Sequence, residues 1–177
     1  MEAIFILRHG KAEDLTESET KTDFDRKLTE DGKTKTKKLS LFFNKLEENI
    51  DLVLSSPYIR AKETAEIFVS NLDPKPELKI VDFLSSGVSS KEISKGLADY
   101  FSHNKILIVG HAPDLEIFLG RLIGAENIML KKGALAKVSL SGINLSGDLE
   151  WLVTSAIIKK FKLKEKDKKL IEVKPTN

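Results

Sequence analysis

Apolar residues fall into two alternating patterns along the chain, short continuous runs and stretches of helical period, and this alternation predicts the elements. The runs Ile4 to Leu7, Leu52 to Leu54, Leu78 to Val81 and Ile106 to Val109 suit buried strands. Between the first two, Leu39, Phe42, Phe43, Leu46 and Ile50 recur at i, i+3, i+4, i+7 and i+11. That spacing predicts one long helix from Thr29 to Ile50 with a lysine-rich opposite face. Pro57, a residue favoured at the first helical position, opens a second helix in which Ala61, Ala65, Phe68 and Leu72 share a face, and Asp73-Pro74 closes it. Ser89 with Glu92 forms a capping box for a third helix reaching Phe101. Pro113 opens a fourth, where Leu115, Phe118, Leu119 and Leu122 face one way before Gly124 ends it. Leu135 to Leu140 and Leu149 to Thr154, separated by Ser141-Gly142 and Ser146-Gly147, read as a closing pair of strands.

Strands alternating with helices predict an α/β sandwich with a mainly parallel sheet, and the two-strand ending predicts an antiparallel edge strand. The length of 177 residues fits one domain that buries its core without staples. A domain over 1–158 followed by a Lys-rich tail over 159–177 is expected. From Lys159 to Lys169 seven lysines face only Glu165 and Asp167, while the whole chain has a formal charge of +2, so the body ahead of the tail is slightly acidic. Such a charge run reads as a solvated terminus, with an anionic partner as the sharper alternative. A nucleic-acid role would rest on that tail alone, without aromatic interleaving beyond Phe161.

The chain has no cysteine, which excludes disulfide frameworks, thiolate nucleophiles and cysteine-based metal sites. The apolar segment Ala3 to Leu7 follows Glu2 and is too short for a secretory signal, and no run approaches the ~18 apolar residues of a membrane span. A cytoplasmic protein without a membrane span is expected.

In open α/β sheets ligands gather at the carboxyl ends of the strands. Two strands end alike here, the first in Arg8-His9-Gly10 and the fourth in Gly110-His111-Ala112-Pro113, so two of the three histidines stand at strand ends. The third, His103, lies in a polar turn and is assigned no role. An Arg-His-Gly tripeptide is expected by chance about 0.004 times in a chain of this composition. Arginine is scarce, at four residues against 25 lysines, so Arg8 and Arg60 at strand-to-helix corners point to planar, bidentate hydrogen bonding. Arg60 stands on the first turn of the second helix, where the helix dipole adds to its charge. Arg8, His9, Arg60 and His111 would converge into a cationic pocket suited to a phosphoryl group. Two guanidiniums and a second histidine could stabilise phosphoryl charge without a metal, and carboxylates at metal-ligand spacing are absent around His9 and His111.

Four segments resemble the histidine phosphatase superfamily: Leu7-Arg8-His9-Gly10-Lys11-Ala12-Glu13, Arg26-Lys27-Leu28-Thr29-Glu30-Asp31-Gly32, Ser55-Ser56-Pro57-Tyr58-Ile59-Arg60-Ala61-Lys62-Glu63-Thr64-Ala65 and Val109-Gly110-His111-Ala112-Pro113-Asp114-Leu115. Within it the short chain resembles the SixA-type phosphohistidine phosphatases, and Gly133 to Val138 is similar to their penultimate strand. The resemblance implies a phosphoglycerate-mutase-like, three-layer α/β/α sandwich. It implies that His9 is the nucleophile that becomes phosphorylated, that Arg8 and Arg60 bind the phosphoryl oxygens, and that His111 supports the transferring group. No cofactor is implied. The implied partner is a phosphohistidine-bearing protein, such as a histidine-containing phosphotransfer domain.

The chain departs from the family pattern at Lys27, where proline is common, and at Ala112, where asparagine is common. Larger members supply a carboxylic acid after the third strand; here the stretch is Asp82-Phe83-Leu84-Ser85-Ser86-Gly87, with Phe83 at the expected position and Asp82 as a possible general acid. A missing acid favours phosphohistidine, because imidazole leaves more easily than an alkoxide. Fifty residues lie between His9 and Arg60 and fifty between Arg60 and His111, leaving no room for a lid domain. Two alternatives stand beside this reading: a phosphatase of small phosphomonoesters or phosphosugars, and an inactive module that binds a phosphoprotein.

Overall fold

β1 (Ala3–Arg8) is buried along nearly its whole length because helices cover both faces of the sheet. Ile4 and Ile6 point into one core with Leu52, Leu54, Ile106 and Ile108, while Phe5 and Leu7 point into the other with Val53, Leu107 and Val109. The computed structural model describes residues 1–19, 21–141 and 145–160. Gly142 of the expected turn and the tail beyond Lys160 lie outside the described residues.

Six strands form one sheet: β1, β2 (Leu52–Ser55), β3 (Glu77–Ile80), β4 (Lys105–Gly110), β5 (Leu135–Leu140) and β6 (Gly147–Val153). Their order is β3-β2-β4-β1-β5-β6. The first four in that order are mutually parallel, and β5 runs antiparallel to both β1 and β6. The fold is thus an α/β sandwich, mainly parallel, with an antiparallel pair at one edge. Helices α1 (Glu30–Phe43), α2 (Ile59–Ser70) and α5 (Ser155–Lys160) pack on the Phe5 side, and α3 (Ser90–Leu97) and α4 (Asp114–Ile123) on the Ile4 side. None of these helices is long and apolar enough to cross a membrane.

The helix ends follow local chemistry. The Thr29 hydroxyl accepts the Gly32 N–H at 3.1 Å, and Glu30 and Asp31 meet the positive end of α1. Ser89 and Glu92 close the expected capping box of α3, and Gly124 ends α4 in the left-handed conformation with φ 64°. Several boundaries differ from the sequence reading; α3 gives way at Leu97 to a 3-10 turn, Ala98–Tyr100, short of Phe101. α1 stops at Phe43, seven residues short of Ile50, because the chain must reverse to enter β2. Glu47 turns it at φ 55°, leaving Leu46 exposed while Ile50 is buried outside the helix. α2 begins at Ile59, so Pro57 precedes the helix.

The start of α1 is tied to the strand that leads into the site. The Lys11 carbonyl accepts the Thr29 N–H at 2.9 Å, and Ala12 bridges Leu28. A Cβ on Gly32 would stand 2.1 Å from that same carbonyl oxygen, which is backbone and cannot swing aside. Alanine in place of glycine ordinarily stabilises a helix by ~0.5–1 kcal/mol. Gly32→Ala should instead destabilise this protein by at least about 1 kcal/mol, the cost of overpacking, read as a lower urea midpoint. A raised midpoint would show that α1 docks with room to spare.

Candidate active site

The site lies where β1 and β4 end side by side. In their parallel register Arg8 pairs with Gly110, so His9 and His111, each the next residue, emerge together with ring centroids 5.2 Å apart. The His9 N–H donates to the Gly110 carbonyl at 3.0 Å, which carries the pairing one residue further. Both rings are almost fully buried.

Hydrogen bonding defines the proton of the His9 ring. His9 Nδ1 is 2.8 Å from the Gly10 carbonyl, which can only accept, so Nδ1 carries the proton and Nε2 presents its lone pair. Arg60 Nε–H donates to that lone pair at 3.3 Å. At His111 the fully buried Ser56 hydroxyl accepts the Tyr58 N–H at 3.3 Å and lies 2.7 Å from Nε2. His111 Nδ1, on the other side of the ring, is buried and has no hydrogen-bond partner among the described residues.

Arg60, on the first turn of α2, is buried and held from behind. Its Nη1 donates to the Asp23 carbonyl and its Nη2 to the Asp23 carboxylate at 2.9 Å, while its guanidinium carbon lies 4.8 Å from the Tyr58 ring centre. Asp23 also accepts from Arg26 at 2.8 Å. Burial opposes ionisation of Asp23, but the hydrogen bond from Arg26 and then the charge and hydrogen bond of Arg60 hold its carboxyl below the usual range. Tyr58 packs edge-on against His111 and is backed by Phe24. Arg8 stands at the rim, half-buried: Nη1 donates to the Leu130 carbonyl at 2.6 Å, Glu116 is 4.0 Å away, and Nε is buried without a partner.

The structure brings His9, Arg60 and His111 into one pocket with Arg8 at its edge. Asp82 stands exposed on a 3-10 turn, Asp82–Leu84, at the end of β3, and its side chain makes no hydrogen bond or ion pair with those four residues. Phe83 turns away to pack on Tyr100 and directly over Gly96 of α3, where a Cβ would come within 2.3 Å of its ring. Sequence reasoning missed Asp23, which lies in a polar loop without any periodic signal. It quoted Ser56 and Thr64 within a motif but gave neither a role. Thr64 accepts the Gly10 N–H at 3.1 Å and donates to the Arg60 carbonyl at 2.6 Å, joining the His9 loop to α2. Among the described residues no three His, Asp or Glu side chains are grouped so as to hold a metal ion.

Burial, then the neighbouring His111 and the charges of Arg60 and Arg8, push the His9 pKa down to about 3 against the opposing Gly10 hydrogen bond. Burial is the leading cause, ahead of the arginine charges. His111 is likewise lowered to about 3, chiefly by burial and then by Arg60.

Residues 4–84 match the family defined as the histidine phosphatase superfamily (branch 1). The chain belongs to the histidine phosphatase superfamily. An uncharacterized protein of Picosynechococcus sp. is 32% identical over 117 residues, spanning 63% of this chain and 67% of its own. The protein histidine phosphatase SixA, solved with tungstate, superposes with a TM-score of 0.79 at 23% identity, covering 88% of this chain and 99% of that one. A protein of Agrobacterium tumefaciens solved under the name SixA superposes with a TM-score of 0.75 at 21% identity, covering 86% and 97%.

With both folded-state values depressed, the histidine phosphatase domain keeps His9 and His111 neutral while the unfolded chain takes up protons below about 6.5. Stability is therefore full above that pH and is lost as pH falls toward 3. Ring nitrogen spectra should show His9 protonated on Nδ1 alone at every pH from 8 to 5, and titration of Nε2 near 6.5 would refute the assignment. His9→Asn should flatten the fall in stability between pH 6.5 and 4.5 by up to about 1.4 kcal/mol per pH unit, measured by urea unfolding.

Proposed function

We propose that the protein is a metal-independent phosphohistidine phosphatase that works through a phosphorylated His9. The observation that carries the reading is the His9 Nε2 lone pair, fixed by the Nδ1–H bond to Gly10 and bordered by Arg60, Arg8 and the unpartnered Nδ1 of His111. In the first step Nε2 attacks phosphorus and the P–N bond to the partner's imidazole breaks. The leaving ring departs neutral, its proton taken from solvent, and Arg8, Arg60 and His111 donate to the three equatorial oxygens. Water then attacks phospho-His9, releasing phosphate and returning neutral His9.

Arg60 and Asp23 support the same assignment. A buried guanidinium needs an acceptor, and Asp23 supplies one while the guanidinium Nε stays aimed at His9. The remaining N–H groups of Arg60 are available to a dianion. The exposed position of Asp82 favours substrates whose leaving group needs no enzyme acid, which supports phosphohistidine over alkyl phosphomonoesters. Tungstate in the SixA structure is a tetrahedral oxyanion, the shape this donor set would hold.

Brief exposure to radiolabelled phosphoramidate should leave acid-labile, base-stable label on His9, and His9→Ala should abolish both label and turnover. Label on Ser55, Ser56 or Asp82 would overturn the mechanism. Arg60→Lys keeps charge but loses the fork, so kcat/KM should fall at least ~10-fold, about 1.4 kcal/mol of transition-state stabilisation. Phosphoramidate and p-nitrophenyl phosphate should be cleaved much faster than a sugar phosphate, with Asp82→Asn changing neither and excess EDTA having no effect. A sugar phosphate hydrolysed fastest would promote the small-molecule reading instead.

A further inference from the structure

A second cleft opens beside the phosphate corner and shares Arg8 and Gly10 with it. Its volume is about 390 Å³, and its charged lining residues are Arg8, Lys11, Lys35, Lys131 and Lys132, with no carboxylate among them. Lys35 pairs with Asp31 at 2.5 Å. Lys11, Lys131 and Lys132 are exposed and have no carboxylate partner among the described residues. The Lys35 hydrogen bond, then the charges of Lys35, Lys11 and Lys159, hold the Asp31 carboxyl below the usual range.

The backbone that carries two of these cations is tied to that of His9. The Gly133 N–H lies 3.1 Å from the Arg8 carbonyl and 3.0 Å from the His9 carbonyl and donates to both. The Ala134 N–H donates to the Lys131 carbonyl at 2.8 Å, closing a turn in which Gly133 takes φ 71°, a conformation that favours glycine. The turn that carries Lys131 and Lys132 is thus bonded to the backbone of the nucleophile itself. A phosphoryl group at His9 is already served by Arg8, Arg60 and His111, so the lysines exceed its needs. Lys35 has Asp31 and Arg8 lies 4.0 Å from Glu116, but Lys11, Lys131 and Lys132 add positive charge without a carboxylate partner among the described residues, on a chain that is slightly acidic outside its tail. The cluster is complementary to carboxylates presented next to the phosphoryl group.

We propose that this cleft docks an acidic segment of the phosphorylated partner, so that the preferred substrate is a phosphohistidine flanked by Asp and Glu residues. The inference rests on the phosphohistidine reading of the adjoining pocket. Docking acts on the encounter and on KM, because the lysines touch the flanks and not the reacting atoms.

The test uses two synthetic peptides, alike except for acidic or neutral residues around one histidine, each phosphorylated with phosphoramidate. The full chain should cleave the acidic peptide at least ~10-fold better in kcat/KM at low ionic strength, with the advantage shrinking as salt is raised. Lys131→Glu with Lys132→Glu should erase that advantage through KM while leaving phosphoramidate and the neutral peptide unchanged. Equal turnover of both peptides by the unaltered protein would overturn the docking role and leave the phosphohistidine reading standing. An oligonucleotide that binds the unaltered protein but not the double variant, with no peptide preference, would overturn it in favour of nucleic acid. Failure to turn over any P–N substrate would sink the underlying reading itself.

Discussion

Parallel pairing of β1 with β4 is the constraint on which the site depends. The register that sets Arg8 opposite Gly110 leaves each strand to be followed by a histidine, and two rings from positions 9 and 111 emerge into one pocket. β2 on one side and β5 on the other make this a central pair, so neither strand can slip without moving an entire face of buried residues. The same central position buries both rings, and burial is the leading reason that both stay neutral. Geometry and protonation state therefore share one origin.

A neutral imidazole beside buried positive charge requires a means of keeping that charge in place. Arg60 is at once charged and nearly inaccessible, a combination tolerated when hydrogen bonds replace water. Asp23 provides two of them, Tyr58 offers its ring face, and Arg26 in turn holds Asp23. The outcome is a guanidinium with a fixed plane whose Nε points at the lone pair of His9. Thr64 adds a direct link between the backbone after His9 and the backbone of Arg60.

Close backbone approaches position the remaining parts. Gly32 lets the start of α1 lie against Lys11, and Gly133 lets the loop before β5 bond to both Arg8 and His9. Gly96 admits the ring of Phe83 against α3, which removes that side chain from the pocket and leaves Asp82 on the exposed face of its turn. The rim of the site is then formed by Arg8 and lysines on one side, with no carboxylic acid touching the histidine pair among the described residues.

By itself the sequence determined what depends on near neighbours along the chain. Alternation and helical period located the strands and helices, the capping box of α3 was readable from Ser89 and Glu92, and the scarcity of arginine singled out Arg8 and Arg60. The motifs carrying His9 and His111 were legible for the same reason. The length of α1 was not, because Leu46 and Ile50 continue the helical spacing and only the need to enter β2 stops the helix at Phe43. Tertiary structure alone decided the strand order, the partners of the two Nε2 atoms of His9 and His111, the hold of Asp23 on Arg60 and the exposure of Asp82. Each of these depends on residues tens of positions apart, and periodicity along the chain holds no record of which distant segments will pack together.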